Sequence, residues 1–337
     1  MTTFTGWTHK AFAMDDASRV GEARRYAAQA VAEMGWSEVD AGRLALVVTE
    51  LGTNLQRHAR GGRLLIAVRP QSSEVEVLSI DDGPGIPDLA LAMQDGHSSG
   101  STPGTGLGAV RRLADDFDVH SSMPDGTVGV ARVRAKNAAA QPASIFQVGA
   151  VCLPAPHESV SGDGWAYAFD GDLATVLLAD GLGHGPDAAK AADAAIGAFV
   201  RAPEDDVRET VQRVHRELQT TRGAAVCALR IDAAGATVSY SGAGNIVGRV
   251  VSGVFDKSII TQHGTAGMQI RKPESASLEW PDHALVVLHS DGIETRWTLD
   301  RIRPLLQRDP TLVAAVLLRD HTRHRDDATV VVIRRKE

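Results

Sequence analysis

The sequence predicts an α+β chain of two domains: an α/β sandwich, then two packed sheets with helices outside, an αββα sandwich. Three observations carry this. Residues 135–144, AKNAAAQPAS, are small and polar, lack β-branched periodicity and contain a proline, as a linker would. Before them, helix-periodic stretches precede alternating runs; after them, many short apolar runs surround two long helical ones. The 337 residues suffice for two ordinary domains, and 43% hydrophobic with 23% charged residues suits packed cores beneath a charged surface. The expected division is 1–135, a linker at 136–144, and 145–337.

In the first domain a strand is expected around Phe4–Ala13. Residues 16–34 place Val20, Ala23, Ala27, Ala30, Val31 and Met34 at helical spacing, and residues 39–59 do so with Leu44, Val47, Leu51, Leu55 and Ala59. RLLIAVRP and EVEVLSIDD read as strands across a polar turn at Gln71–Ser73. A glycine run follows, then VRRLADDF as a helix and DVHSSMPDGTVGVARVRA as a hairpin turning at Pro124–Gly126. This is a helix layer over a mostly antiparallel sheet. In the second domain SIFQVGAVCL, GWAYAFDG, LATVLLAD, AAVCALRI, ATVSYSG, NIVGRVV, ALVVLHSD and ATVVVIRR read as strands. Helices are expected near 186–200 and 205–219, with shorter ones near 299–318.

Composition excludes several classes. A net charge of −7 offers no basic face for nucleic acid. The two cysteines, Cys152 and Cys227, lack metal-type spacing and read as buried thiols in a reducing compartment. The start, MTTFTGWTHKAF, lacks the basic and apolar regions of a secretory signal, and no apolar run approaches the ~20 residues of a membrane helix. A cytoplasmic location away from membranes is expected. No coiled-coil or other pairing pattern appears, so the oligomeric state stays open.

Three segments of the first domain point to a nucleotide. In TELGTNLQRHA, Glu50 and Asn54 stand four apart and share a helical face offset from the Val47–Leu51–Leu55 stripe. Asparagine is a poor helix-interior residue, although an exposed polar pair explains the two equally well. In SIDDGPGIPD, Asp81 closes a strand, where its carboxylate could accept from an exocyclic amine such as adenine's. Gly83 and Gly85 would let the backbone approach a ligand, or merely decorate a turn. In TPGTGLGAVRRLADDF, Gly104, Gly106 and Gly108 lead into a helix from about 107, whose bare amides would suit an anion. No Gly-Lys-Ser/Thr follows, so this is not a Walker loop, and its late position and context do not suit a dinucleotide fingerprint.

In this order the three segments resemble the GHKL ATP-binding fold shared by gyrase, histidine kinases and MutL, over residues 15–135. The resemblance implies ATP with Mg²⁺, Asn54 as the magnesium ligand, Glu50 as general base and Asp81 as the adenine reader, flanked by Gly83 and Gly85. It makes Gly104, Gly106 and Gly108 the hinge and phosphate grip of a lid running from Gly96 to Thr105. VTELGTNL, DDGPGIPDLALAMQDG and GTGLGAVRRLADDFDV are most similar to the stressosome switch kinases (RsbT-like), serine/threonine kinases acting on STAS-domain proteins.

The second domain carries four aspartates at strand ends: Asp163 in SGDGWAYAF, Asp180 in LLADGLGHGPDAAKAA, Asp291 in VVLHSDGIET and Asp326 in RHRDDATVVVIRR. Any one alone is an ordinary polar terminus. Gathered at one sheet edge, they would repel strongly unless a cation sat among them. Hard oxygen donors favour Mg²⁺ or Mn²⁺ over zinc, and two such ions ~3.5–4 Å apart can activate a water toward a phosphate ester. His184, between glycines, either shapes the turn or contacts substrate.

This pattern resembles the metal-dependent type 2C phosphatases, in their SpoIIE-like and RsbX-like branch, over residues 145–335. The resemblance implies Asp163, Asp180, Asp291 and Asp326 as metal ligands and the Gly181 carbonyl as a further one, with Asp327 an alternative to Asp326. SGAGN (241–245) and GTAGMQI (264–270) are similar to non-ligand segments of that family. Together the resemblances imply a bifunctional partner-switching regulator, a serine/threonine kinase joined to a phosphatase, acting on STAS-type or stressosome-like proteins. One alternative is a phosphatase whose first domain only binds partners in an ATP-dependent way; another is direct capture of a sigma-factor regulator.

Overall fold

The amino-terminal run that reads as one strand is two, and they belong to different sheets: β1 (Thr2–Thr5) and β2 (His9–Ala13). Gly6 makes the break. Its N–H donates to the Trp165 carbonyl at 2.7 Å, and a Cβ there would collide with that oxygen. Trp7 then packs edge-on against Trp165, with ring centroids 4.5 Å apart. In this computed structural model, which describes residues 1–94, 106–138 and 142–336, the chain forms two units. One is His9–Gln141; the other combines Met1–Thr8 with Pro142–Glu337. The first eight residues thus belong with the second unit, not with the nucleotide-type domain.

The first unit continues with α1 (Ala17–Glu33), α2 (Glu38–His58), β3 (Arg63–Arg69), β4 (Glu74–Ile80) and the short α3 (Leu89–Ala92). After residues 95–105, outside the described set, come α4 (Leu107–Leu113), β5 (Asp116–Ser122) and β6 (Gly126–Arg134). The strands pair antiparallel in the order β2-β3-β4-β6-β5. Asp16 caps α1 by accepting from the Ser18 N–H, and Ser37 caps α2 by accepting from that of Asp40. The α2 stripe Leu44, Val47, Val48, Leu51 and Leu55 is buried against Leu64, Ile66, Val75 and Val77 of the sheet. The helix expected over 110–117 stops at Leu113. Arg43 donates to the Leu113 carbonyl from Nε (3.1 Å) and Nη2 (3.0 Å), and Asp116 and Phe117 pair with β6 instead.

The second unit comprises β7 (Phe146–Leu153), β8 (Asp163–Asp170), β9 (Leu173–Gly181), α5 (Pro186–Val200), α6 (Val207–Glu217), β10 (Ala224–Asp232), β11 (Thr237–Ala243) and β12 (Val247–Val251). It continues with β13 (Asp256–Ile260), β14 (Gly264–Thr265), β15 (Gln269–Ile270), β16 (Ala276–Glu279), β17 (Leu285–His289), α7 (Leu299–Ile302), α8 (Pro310–His321) and β18 (Ala328–Arg335). One sheet runs β1-β8-β9-β10-β11-β16, the other β13-β12-β17-β18-β7. Trp165, Leu178, Cys227 and Leu229 meet Val286, Leu288, Val331 and Ile333 in the core between them. Helices α5 and α6 cover the first sheet and α8 the second, giving the αββα layering. Burial pushes the Cys152 thiol up to about 11 and Cys227 to about 12, so neither is a ready nucleophile. No described helix is long and apolar enough to cross a membrane.

Candidate functional sites: an apolar cleft and an acidic cleft

In the first unit, α2 turns Asn54 toward a cleft of about 640 Å³ lined also by His58, Asp81, Leu91, Gly106 and Thr127. Asp81 follows β4 directly, and its Oδ1 accepts the Gly83 N–H at 2.7 Å. Gly85 adopts φ +77°, and a Cβ there would stand 2.6 Å from the Ser122 carbonyl oxygen, so its glycine is required by the turn. Gly106 lines the cleft just before α4, while Gly108 is buried within that helix. Gly104 and the segment expected to form a lid, 96–105, lie outside the described residues.

Glu50 stands one turn before Asn54 and is not among the residues lining this cleft. Burial raises its carboxyl above the usual range, opposed by Arg57. Two features of the cleft belong to no motif. Thr127 lines it from β6, and Gly126 (φ +91°) leaves room for the Asp81 carbonyl, with which any Cβ at that position would collide. The only sequence signal for Gly126 is its place in a Pro-Asp-Gly turn.

In the second unit, strand pairing assembles the acidic residues. Asp163 opens β8 and stands in register opposite Asp180 on β9. Asp291 follows β17 and Asp326 precedes β18, two strands that are neighbours in the other sheet. Asp180, Asp291 and Asp326 line a cleft of about 300 Å³ together with Asn245, Gly183 and His263. Burial pushes the Asp180 carboxyl up to about 9, reinforced by the charges of Asp163, Asp291 and Asp326 and opposed by the Asp291 backbone N–H. Burial likewise pushes Asp163 up to about 7, against the hydrogen bond from Ser290, with Asp327 and Asp291 adding to the rise. Asp291 is raised by burial and by Asp326.

Asp163 is only 5% exposed. Its Oδ2 accepts the Ser290 hydroxyl at 2.7 Å, whereas its Oδ1 has no hydrogen-bond partner among the described residues. A buried carboxyl oxygen left bare beside other carboxyl groups suits a proton or a divalent cation. The donors are hard oxygens, as Mg²⁺ or Mn²⁺ prefers. Among the described residues, no group of three or more His, Cys, Asp or Glu side chains is placed so that it could hold a metal ion as it stands. The Asp291 carboxylate is instead held by Asn245, whose Nδ2 donates to Oδ2 at 2.6 Å.

Asp326 lines the cleft; Asp327 is buried with its Oδ1 accepting the Ala155 N–H at 2.8 Å. Gly181 has a packing reason of its own, since a Cβ there would collide with the Ala188 carbonyl of α5. His184 is exposed and pairs through Nδ1 with Glu158 Oε1 at 2.7 Å, and it does not line the cleft. Ser290 and Glu158 carry no sequence signal, being ordinary polar residues until the fold brings them to Asp163 and His184; Asn245 closes the SGAGN segment, whose resemblance gave it no role at the carboxylates.

A family model for the histidine kinase-like ATPase domain matches residues 13–132, and one for stage II sporulation protein E (SpoIIE) matches residues 170–336. Over 108 residues the chain is 33% identical to the serine/threonine-protein kinase RsbT of Bacillus subtilis (strain 168), spanning 31% of this chain and 80% of that protein. The chain carries a domain of each family. It joins a kinase-like ATPase domain to a SpoIIE-type phosphatase domain. Among solved structures, RsbX in complex with magnesium is similar at TM-score 0.52 and 20% identity, over 58% of this chain and 98% of that one. The phosphatase domain of SpoIIE from Bacillus subtilis, with a fragment of its regulatory domain, is similar at TM-score 0.50 and 17% identity, over 95% and 97%. A chain from a study of the bacterial stressosome is similar at TM-score 0.53 and 25% identity, over 57% and 100%. The phosphatase-type fold of the second domain rests on these likenesses.

Proposed function

We propose that this chain is a bifunctional partner switch: the first domain transfers the γ-phosphoryl group of ATP to a serine or threonine of a STAS-type or stressosome-like protein, and the second domain hydrolyses such a phosphoester. The observation that carries the reading is the presence, in one chain, of a nucleotide-sized cleft holding Asn54 and Asp81 and of a carboxylate cleft whose charges call for cations. The 33% identity to a protein named as a serine/threonine kinase supports the first half, and the likeness to a chain from work on the bacterial stressosome supports the partner class.

In the first cleft Asp81 would accept from the adenine amine, Asn54 would coordinate the Mg²⁺ that accompanies ATP, and the backbone at Gly106 would lie against the phosphates. Glu50, with its raised pKa, takes the proton of the acceptor hydroxyl. In the second cleft Asp180, the Gly181 carbonyl, Asp291 and Asp326 would hold two Mn²⁺ or Mg²⁺ ions, and Asp163 would contribute its bare Oδ1. Such a pair supplies, when bound, an acidified water aimed at phosphorus. The chain's own work is to keep four carboxyl groups together and oriented, with Ser290 fixing Asp163 and Asn245 fixing Asp291; a bound cation would displace the protons that burial favours on Asp163 and Asp180.

One observation favours a second reading, in which the first domain binds partners under ATP control and performs no transfer: Glu50 does not line the cleft. Intact-mass spectrometry of a STAS-domain protein from the same genome separates the two. Incubation with ATP and Mg²⁺ is expected to add one phosphate, lost with Asn54→Ala and with Glu50→Gln. On partner protein phosphorylated beforehand, Mn²⁺ is expected to remove the phosphate, unless Asp180→Ala is present. Removal without any addition would leave the phosphatase and replace the kinase with a binding module.

A further inference from the structure

Asn245 sits in the turn between β11 and β12, and its placement is over-determined. The Thr261 hydroxyl points at the carbonyl oxygens on both sides of it, Gly244 at 2.8 Å and Ile246 at 3.1 Å. The Gly244 N–H donates to the Gln262 carbonyl at 2.8 Å, and the Gln262 N–H donates back to Gly242 at 3.0 Å. Gly244 itself takes φ +115° and packs against Ala225, so no other residue fits the turn without strain. Two segments are thus riveted together, and the one side chain they present to Asp291 is a carboxamide at 2.6 Å. An exposed asparagine on a loose loop would be an ordinary surface contact. On this clamped turn it is a fixed donor.

We infer that Asn245 is a positioning residue of the phosphatase centre, holding the Asp291 carboxylate so that its other oxygen is presented to the divalent cation. The inference rests on the proposed metal-dependent phosphatase reading of the acidic cleft. The choice of residue type has a reason. A lysine at this place would neutralise Asp291 and compete with the ion, and an aspartate would add a further like charge to a crowded site. A neutral amide orients one carboxylate oxygen and leaves the charge for the metal. Hydrogen-bond partners of metal-ligating side chains act this way, and their loss costs about 10–100-fold in metal affinity.

The test is Mn²⁺ binding by calorimetry on the full chain after chelation, for wild type, Asp180→Asn, Asn245→Ala, the near-isosteric Asn245→Leu, and Thr261→Val. Each protein's metal-free melting temperature is measured alongside. Wild type is expected to bind Mn²⁺ and Asp180→Asn to lose binding. Both Asn245 variants are expected to bind about 10-fold or more weakly with metal-free melting unchanged. Thr261→Val, which frees the turn but keeps the donor, is expected to shift in the same direction by less. With saturating Mn²⁺ the Asn245 variants are expected to recover phosphatase activity on p-nitrophenyl phosphate at an unaltered KM, which a merely structural role would not produce. Wild-type Mn²⁺ affinity in both Asn245 variants overturns the inference while leaving the phosphatase reading in place. Absence of Mn²⁺ binding by wild type overturns the reading and the inference together.

Discussion

The cleft of the first unit is about twice the size of that of the second, 640 against 300 Å³, and the two differ more in chemistry than in volume. The first is lined by Leu51, Leu55, Ile86, Leu91 and Leu107, with isolated polar groups such as Asn54 and Thr127. Its two carboxylates, Asp81 and Asp88, each already accept a backbone N–H, at 2.7 and 2.8 Å. The second is lined by three carboxylates, with a fourth at 5% exposure behind them and one oxygen of that fourth bare. In the acidic cleft burial and neighbouring carboxylates push the Asp163 and Asp180 carboxyls toward the protonated form; among the described residues the apolar cleft has no comparable cluster.

That contrast gives the largest expected effect. Asp163 and Asp180 have folded-state pKa values raised by burial to about 7 and about 9, from 3.8. A carboxyl raised on folding holds its proton more tightly in the native state, so its contribution is most favourable at low pH. That contribution is lost as pH climbs from about 4 through 7 and toward 9. With metal chelated, the second unit is expected to be less stable at pH 8 than at pH 5 by a few kcal/mol, because each tenfold change in proton affinity is worth about 1.4 kcal/mol. Mn²⁺ is expected to reverse the loss and release protons. Asp180→Asn is expected to raise the metal-free melting temperature at pH 8 while abolishing the response to Mn²⁺. Calorimetric melting at both pH values, with and without Mn²⁺, is the check, and a pH-independent metal-free transition would break the comparison.

The next effect sharpens the division between the units. Removing residues 1–8 takes away β1, its four-residue register with β8 and the Trp7–Trp165 contact, all within the second unit. The loss is expected to lower the stability of that unit by about 2–4 kcal/mol, in the range of a large aromatic deletion. ATP affinity is expected to stay as it was. A melting profile in which only the transition insensitive to ATP moves would confirm the assignment; a shift of the ATP-stabilised transition would contradict it.

The legible parts of this chain are those where a local pattern and the tertiary outcome agree. Leu44, Val47, Leu51 and Leu55 announce a buried helical stripe, and they form one. The apolar strands ending in Asp180 and beginning after Asp326 announce carboxylates at a sheet edge, and register brings Asp163 opposite Asp180. What escaped depends on distant partners. Phe4–Ala13 reads as one strand, and the approach of the Trp165 carbonyl to Gly6 divides it. Residues 114–117 look helical until Arg43 closes α4 and β6 captures Asp116. Strands β13 and β16 sit at sheet edges with mostly exposed side chains, so they lack the alternation that reveals a half-buried strand. Asn245 and Ser290 become site residues only through carboxylates 46 and 127 positions away.

The smallest expected effect on stability falls at Gly106, and it is informative because Gly126 should behave in the opposite way. Both glycines border the apolar cleft or the residue that anchors it. At Gly126 the backbone is left-handed, at φ +91°, and a Cβ would collide with the Asp81 carbonyl. Gly126→Ala is therefore expected to cost about 1–3 kcal/mol of strain and to weaken ATP binding by displacing Asp81. At Gly106 the backbone is extended, and a Cβ would meet nothing within 4 Å among the described residues. Folding gives no reason for glycine there. Gly106→Ala is expected to leave stability within about 0.5 kcal/mol of wild type. The added methyl would nevertheless project where a phosphate must approach the chain, and ATP affinity is expected to fall by about 10-fold, or ~1.4 kcal/mol. Isothermal titration with ATP and Mg²⁺, paired with thermal melting, reads both quantities on each variant. Full ATP affinity in Gly106→Ala would mean that the phosphates do not lie against this backbone, and the grip would have to be sought elsewhere along the glycine run.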